Sequence, residues 1–274
     1  MAIHPYSLLQ QLLRPVRKLV AVERTEDRDR RLALTLTFVA GAVNAGGLLA
    51  IGQYTSHMSG IISAMADHLA VGAWLLVGGG VVALGSFMGG AAISAVLINW
   101  ARRHRRRAQY SLPMLLEAAL LALFGTLGAL LPGTLGFTAA AVPLLCFIMG
   151  LQNATITKVS GARMRTTHMT GIVTDIGIEL GKLFYWNRHQ GGSGPHPHVR
   201  ADRAKLRLLA SLLGCFFGGG VLGAWGFALL GFAAALPLAV LLAAIGAAPI
   251  MEVAVVLQGR RNGPRRGPIQ APRP

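Results

Sequence analysis

All 26 lysines and arginines of this 274-residue chain fall in four zones. Seven lie in 1–31, five in 102–107, nine in 158–207 and five in 260–273, leaving 32–101, 108–157 and 208–259 without any. Those empty stretches are apolar and long enough to cross the roughly 30 Å of bilayer hydrocarbon. Basic residues held to alternate connections are the footprint of cytoplasmic loops, which retain Lys and Arg. With 13% charged and 53% hydrophobic residues, the chain could not cover a soluble surface of its size. The net charge of +16 therefore reads as topology, with attraction to anionic lipid headgroups, and not as a nucleic-acid footprint.

Six spans satisfy this pattern: roughly 32–52, 72–100, 112–131, 137–155, 206–230 and 234–257. Both termini, 102–107 and 158–207 then face the cytoplasm. The first apolar run starts at Leu32, beyond a charged segment, and reads as a span rather than a cleavable signal. Letting the stretches after residues 58 and 168 cross as well would strand basic clusters outside. They read instead as short re-entrant or interfacial helices. The flanks are a basic amphipathic segment in 1–31, helical over 5–22 and resting on the cytoplasmic leaflet, and a disordered basic tail, 258–274.

Within this frame one polar phrase occurs twice. Residues 55–62 read TSHMSGII and 166–173 read TTHMTGIV, differing only by Ser-for-Thr and Val-for-Ile exchanges. A GxxNA motif precedes each, Gly41 to Ala45 and Gly150 to Ala154. Gly78–Gly80 resembles Gly218–Gly220, and Leu112-Pro113 resembles Leu236-Pro237. Two repeats follow, 32–131 and 132–257, the second with a cytoplasmic loop at 186–205. Each repeat has three crossings, and an odd number reverses direction, so the second is inverted. The first phrase then lies toward the outside and the second toward the cytoplasm. The fold class expected is an all-α integral membrane protein of six transmembrane helices in two inverted-topology three-helix repeats. Each repeat carries a short re-entrant or interfacial helix.

Inverted repeats commonly place a solute site between them, built from interrupted helices whose free ends present unsatisfied backbone groups. Ser59 and Thr170 suit helix N-caps, and the adjacent Gly60 and Gly171 allow close backbone approach. Positive helix ends meeting from two sides suit an anion or a polar solute. The substrate-binding set expected is Asn44, Ser56, His57, Ser59, Asn153, Thr167, His168 and Thr170. The blander reading is that these groups cap helices, satisfy backbone in buried turns and, for the two asparagines, tie helices together.

Ionisable residues in apolar segments default to a functional hypothesis. Asp67, Glu117, Asp175 and Glu179 are the candidates for ion or proton coupling. Asp175 and Glu179 share a helix face, with Arg163 or Arg165 as neutralising partners. Glu252 lies nearer a span end, where snorkelling serves it. Cys146 and Cys215 form no disulfide or metal framework. His189, His196 and His198 sit in a Gly/Pro linker without acids. No catalytic, cofactor or metal motif is present, which favours a non-enzyme.

The phrases GxxNA…TSHMSG and GLQNA…RTTHMTGIVTDIGIELG resemble the YoaK family of bacterial integral membrane proteins of unknown function, over most of 32–257. The resemblance implies a multi-pass inner-membrane protein and supplies no catalytic residue, cofactor or substrate. The function expected is passage of a small polar or anionic solute. The alternative is a membrane scaffold or sensor that binds a cytoplasmic partner or anionic lipid, and a homo-oligomer is compatible with either.

Overall fold

The computed structural model describes residues 26–104, 109–160, 166–185 and 199–262, with the main chain alone over 251–262. The expectations for 1–25, Arg163 and Arg165, the linker histidines and the Glu252 side chain lie outside the described residues. Eight α-helices and a 3-10 turn make up the described chain, and no strand occurs among the described residues. They are α1 (Glu26–Ile51), α2 (Met58–Ala70), α3 (Trp74–Arg103), α4 (Ser111–Leu130), α5 (Leu135–Val159), α6 (Met169–Phe184), α7 (Arg203–Leu230) and α8 (Ala235–Asn262). The α8 main chain continues to Asn262, so the first residues of the expected disordered tail are helical.

Glycines set the breaks. Gly52, Gly72, Gly133 and Gly231 take positive φ, the left-handed region that side chains avoid, at the ends of α1, α2, α4 and α7. Five stretches are long and apolar enough to cross a membrane: Asp29–Ile51, Trp74–Arg103, Ser111–Leu130, Ala139–Val159 and Arg203–Ile250. The last contains α7, the Gly231–Ala234 turn and most of α8. The α3 surface carries exposed Trp74, Leu75, Val81, Met88, Val96 and Trp100. An apolar face this long belongs in lipid. This is a helical membrane protein.

Three pairings dominate: α1 on α7, α3 on α5, and α4 on α8. The first two depend on glycine. A methyl group at Gly90 would strike the Phe147 carbonyl oxygen, and one at Gly150 that of Phe87. The same holds for Gly219 against Phe38 and Gly41 against Phe216. Such backbone contact is how membrane helices gain packing without a hydrophobic drive. Beside the α3–α5 contact, the buried Ser94 and Thr155 hydroxyls bond at 2.8 Å.

These contacts also give direction. Phe38, Ala42 and Gly46 meet Gly219, Gly223 and Phe227 in rising order, so α1 and α7 run the same way. Phe87 and Gly90 meet Gly150 and Leu151, and Ser94 meets Thr155, so α3 and α5 are also parallel. Gly125 meets Ala235 while Met114 meets Gly246, so α4 and α8 are antiparallel.

The expected match of Gly78–Gly80 with Gly218–Gly220 is corrected here. A Cβ at Gly78 or Gly79 would meet nothing within 4 Å, whereas Gly90 and Gly219 make the close contacts. The corresponding segments are Leu84-Gly-Ser-Phe-Met-Gly-Gly90 and Leu213-Gly-Cys-Phe-Phe-Gly-Gly219. At the far ends of α4 and α7, Phe124 and Phe137 stack and Phe232 meets both edge-on, with ring centroids 5.0–5.9 Å apart, and Phe227 lies 6.5 Å from Phe124.

Candidate functional site

Each GxxNA asparagine holds the turn that follows it. The Asn44 Oδ1 accepts from the Ser56 hydroxyl at 2.8 Å and the Ser56 backbone N–H at 3.3 Å. The Asn153 Oδ1 accepts from the hydroxyls of Thr167 at 2.9 Å and Thr166 at 3.2 Å, and its amide donates to the Met149 carbonyl. The two asparagines therefore act within their own halves and fold the chain back along the helix it has just left.

The short helices then begin two residues earlier than expected. The N-cap residues are His57 and His168, not Ser59 and Thr170, and neither cap is closed by a side-chain bond. Each imidazole lies over the glycine three positions on. A Cβ at Gly60 would overlap the His57 ring, and one at Gly171 the His168 ring. The first helical bonds run from Ile61 to His57 and from Ile172 to His168, both 3.1 Å. The backbone N–H groups of Met58, Ser59 and Gly60, and of Met169, Thr170 and Gly171, precede those bonds and point out of the helix ends.

Both starts face one cavity of about 630 Å³. Ser56, His57 and Ser59 line it from the first phrase, and Thr167, His168 and Thr170 from the second. Phe87 and Ala91 of α3 and Gly150, Asn153, Ala154, Thr157 and Lys158 of α5 complete it with Met58 and Met169. Seven of the eight expected substrate-binding residues therefore stand together. Asn44 does not line the cavity and sits behind Ser56. The two phrases, 111 residues apart in the chain, end at this shared space. The lining holds one lysine, two histidines and no carboxylate. Lys158, Thr157 and Phe87 were not singled out from the sequence. Periodicity could have found two of them, because Thr157 and Lys158 lie four residues beyond Asn153 and Ala154 on α5.

The coupling candidates lie elsewhere. Asp67 is exposed on α2. Glu117 is buried between α4 and α5, where the Gln152 amide donates to its Oε1 at 2.8 Å. Asp175 pairs with Lys205 at 3.4 Å, and Glu179 with Lys182 at 2.9 Å and Lys205 at 3.9 Å. The second Glu179 oxygen accepts from the Asp202 N–H at 2.8 Å, and Asp202 caps α7 through the N–H groups of Ala204 and Lys205. The Lys182 hydrogen bond, with help from that N–H, holds the Glu179 carboxyl below its ordinary range. The acids of α6 thus tie that helix to α7, with lysines as their described partners.

A second space of about 430 Å³ lies among α2, α3 and α5, with Gln53 and His68 as its polar rim. No group of three or more His, Cys, Asp or Glu able to hold a metal occurs among the described residues. No curated protein matches this chain, and no solved structure does. The family model described as protein of unknown function (DUF1275) matches residues 32–248, and the chain belongs to that family.

Proposed function

We propose that this protein conducts or transports a small anion across the cytoplasmic membrane through the cavity between α2 and α6. The carrying observation is that two matching helix starts, neither closed by a side-chain bond, share one acid-free space with Lys158. Six uncapped N–H groups, two imidazoles and one ammonium favour negative charge over positive. The site residues are Ser56, His57, Ser59, Asn153, Thr167, His168, Thr170 and Lys158, with Asn44 as the brace behind Ser56.

The proposed frame is six crossings in two inverted repeats, with both termini cytoplasmic. Helix direction supports it. If α2 and α6 crossed as well, α4 and α8 would run parallel, whereas their contacts are antiparallel. Depth supports a re-entrant path for the short helices. Trp74 and Trp100 stand roughly 39 Å apart along α3, near the thickness of a bilayer with its interfaces, where tryptophan collects. Phe87 lies midway between them and lines the cavity. The α2 start is therefore near mid-depth, and α2 runs from there back to the Trp74 end. The lining continues along Thr157 and Lys158 toward the basic ends of α3 and α5, the cytoplasmic side in the proposed frame.

Uptake of nitrate, formate, chloride and phosphate into proteoliposomes tests this reading. At least one anion should enter faster than into empty vesicles, and His57→Ala with His168→Ala should reduce that rate at least tenfold. Equal rates with and without the protein would leave the scaffold reading in its place.

A further inference from the structure

One buried polar pair is unused by the anion cavity. Glu117 is 1% exposed in the middle of α4, and Gln152 is fully buried on α5. A single hydrogen bond joins them, from the Gln152 Nε2 to the Glu117 Oε1. The other oxygen of each, Glu117 Oε2 and Gln152 Oε1, is buried without a partner. A carboxylate held by one amide in a dry core is costly, and so is an orphaned amide oxygen beside it.

Packing does not require the pair. On the repeat scheme the positions matching Gln152 and Glu117 are Val43 and Leu241. Val43 is 2% exposed in the core, and Leu241 packs against the same core. The molecule thus fills the equivalent places with hydrocarbon. Among the described residues, no charged group bonds or pairs with Glu117. From α5 the nearest ionisable groups are Cys146 and Lys158, six residues to either side of Gln152, and Lys158 lines the cavity. From α3 the basic residues are Arg102 and Arg103 at its end, with Arg102 bonded to Gln109 and Tyr110. The 3-10 turn and α8 up to Met251 carry no titratable side chain.

We propose that Glu117 is a proton-binding site, with Gln152 as the hinge that reports its occupancy to the anion cavity. The coupling half of this proposal rests on the anion pathway above, and the proton site does not. As a carboxylate, Glu117 accepts from the Gln152 amide N–H. When one proton adds to the carboxylate, the new O–H becomes a donor, and the Gln152 amide turns its free oxygen to receive it. The turn exchanges the Gln152 N–H···Oε1 hydrogen bond for one from the new O–H to the amide oxygen. Loss of the proton to water reverses the step, and no other covalent bond forms or breaks. Both orphaned oxygens are accounted for by this pair of arrangements. The next residue, Asn153, holds Thr166 and Thr167 and lines the cavity, so a change at Gln152 acts on the start of α6.

Infrared difference spectra of the purified full chain, taken across a pH titration, read the carboxylic C=O band directly. The band assigned to a buried carboxyl should be present in the wild type and lost in Glu117→Gln. Proteoliposomes carrying an internal pH dye and a nitrate readout give the second measurement. The wild type should move protons together with nitrate, and Glu117→Gln should lose at least nine-tenths of the proton flux while keeping nitrate flux within twofold. Should Glu117→Gln not fold, Glu117→Leu with Gln152→Val installs the residues of the matching positions, and the same two readouts apply. A buried-carboxyl band that persists in either variant overturns the proton site. A band lost from a protein that moves no nitrate, formate, chloride or phosphate leaves the proton site standing and overturns the anion pathway instead. Unchanged proton flux with the band lost overturns the coupling.

Discussion

The two short helices begin alike and are anchored differently. In the first half, Ile61 of α2 clusters with Ala83 and Cys146, and Met65 packs onto Gly80. Its one acid, Asp67, is exposed and makes no ion pair among the described residues. In the second half, α6 is tied to α7 by Asp175 and Glu179 with Lys205 and the Asp202 N–H, and Lys182 of the same helix also pairs with Glu179. One helix is held by hydrocarbon and the other by charge. The difference places the solvent-responsive anchor on the side where the basic residues gather.

The largest effect expected breaks both halves at once. Gly90→Val and Gly219→Val each drive a side chain into a backbone carbonyl, and each should cost about 3 kcal/mol or more, read as loss of folded protein in detergent. Gly79→Ala, facing open space in the same helix as Gly90, should instead be neutral or stabilising by about 0.5–1 kcal/mol. Near-equal damage at Gly90 and Gly219 sharpens the correspondence between the halves, and a mild Gly219→Val breaks it.

The asparagines come next. Asn153→Ala orphans two hydroxyls, and Asn44→Ala orphans one hydroxyl and one backbone N–H, so each should cost about 2 kcal/mol. Thermal unfolding compares them, and a loss at one asparagine alone would count against the two turns working alike.

The smallest effect is the response of α6 to acid. Glu179 has a folded-state value below its ordinary 4.5, so its stabilisation is complete above that pH and is lost as pH falls through the lower folded value. Hydrogen exchange should rise in α6 and not in α2 on acidification, and Glu179→Gln should remove the difference. Equal loosening of both helices would break the distinction between their anchors.

The stretches between the charge zones hold the five long apolar segments, because Lys and Arg cannot rest in hydrocarbon. The doubled phrase with the second GxxNA motif marks seven of the cavity residues. The glycine register was missed because triple glycines recur at 78–80 and 218–220 and carry little information. The phenylalanine between the pairs, in Leu-Gly-x-Phe-x-Gly-Gly, is what fixes it. Propensity put the caps at Ser59 and Thr170, but the imidazole needs the bare Gly60 and Gly171 beneath it, which moves the chain reversal to the histidines. Glu117 was legible as an intramembrane acid. Its partner was not, since Gln152 lies on the next helix and nothing local connects them.

The glycine contacts carry a mechanical consequence. Phe38 on Gly219 locks α1 to α7, and Phe87 on Gly150 locks α3 to α5, so each rigid arm braids a strut from one half with a strut from the other. On the proposed transport reading, rocking that reshapes the central space parts the α1–α7 pair from the α3–α5 pair. A covalent bridge from α1 to α7 would leave such rocking free, whereas one from α1 to α5 would clamp the two arms together.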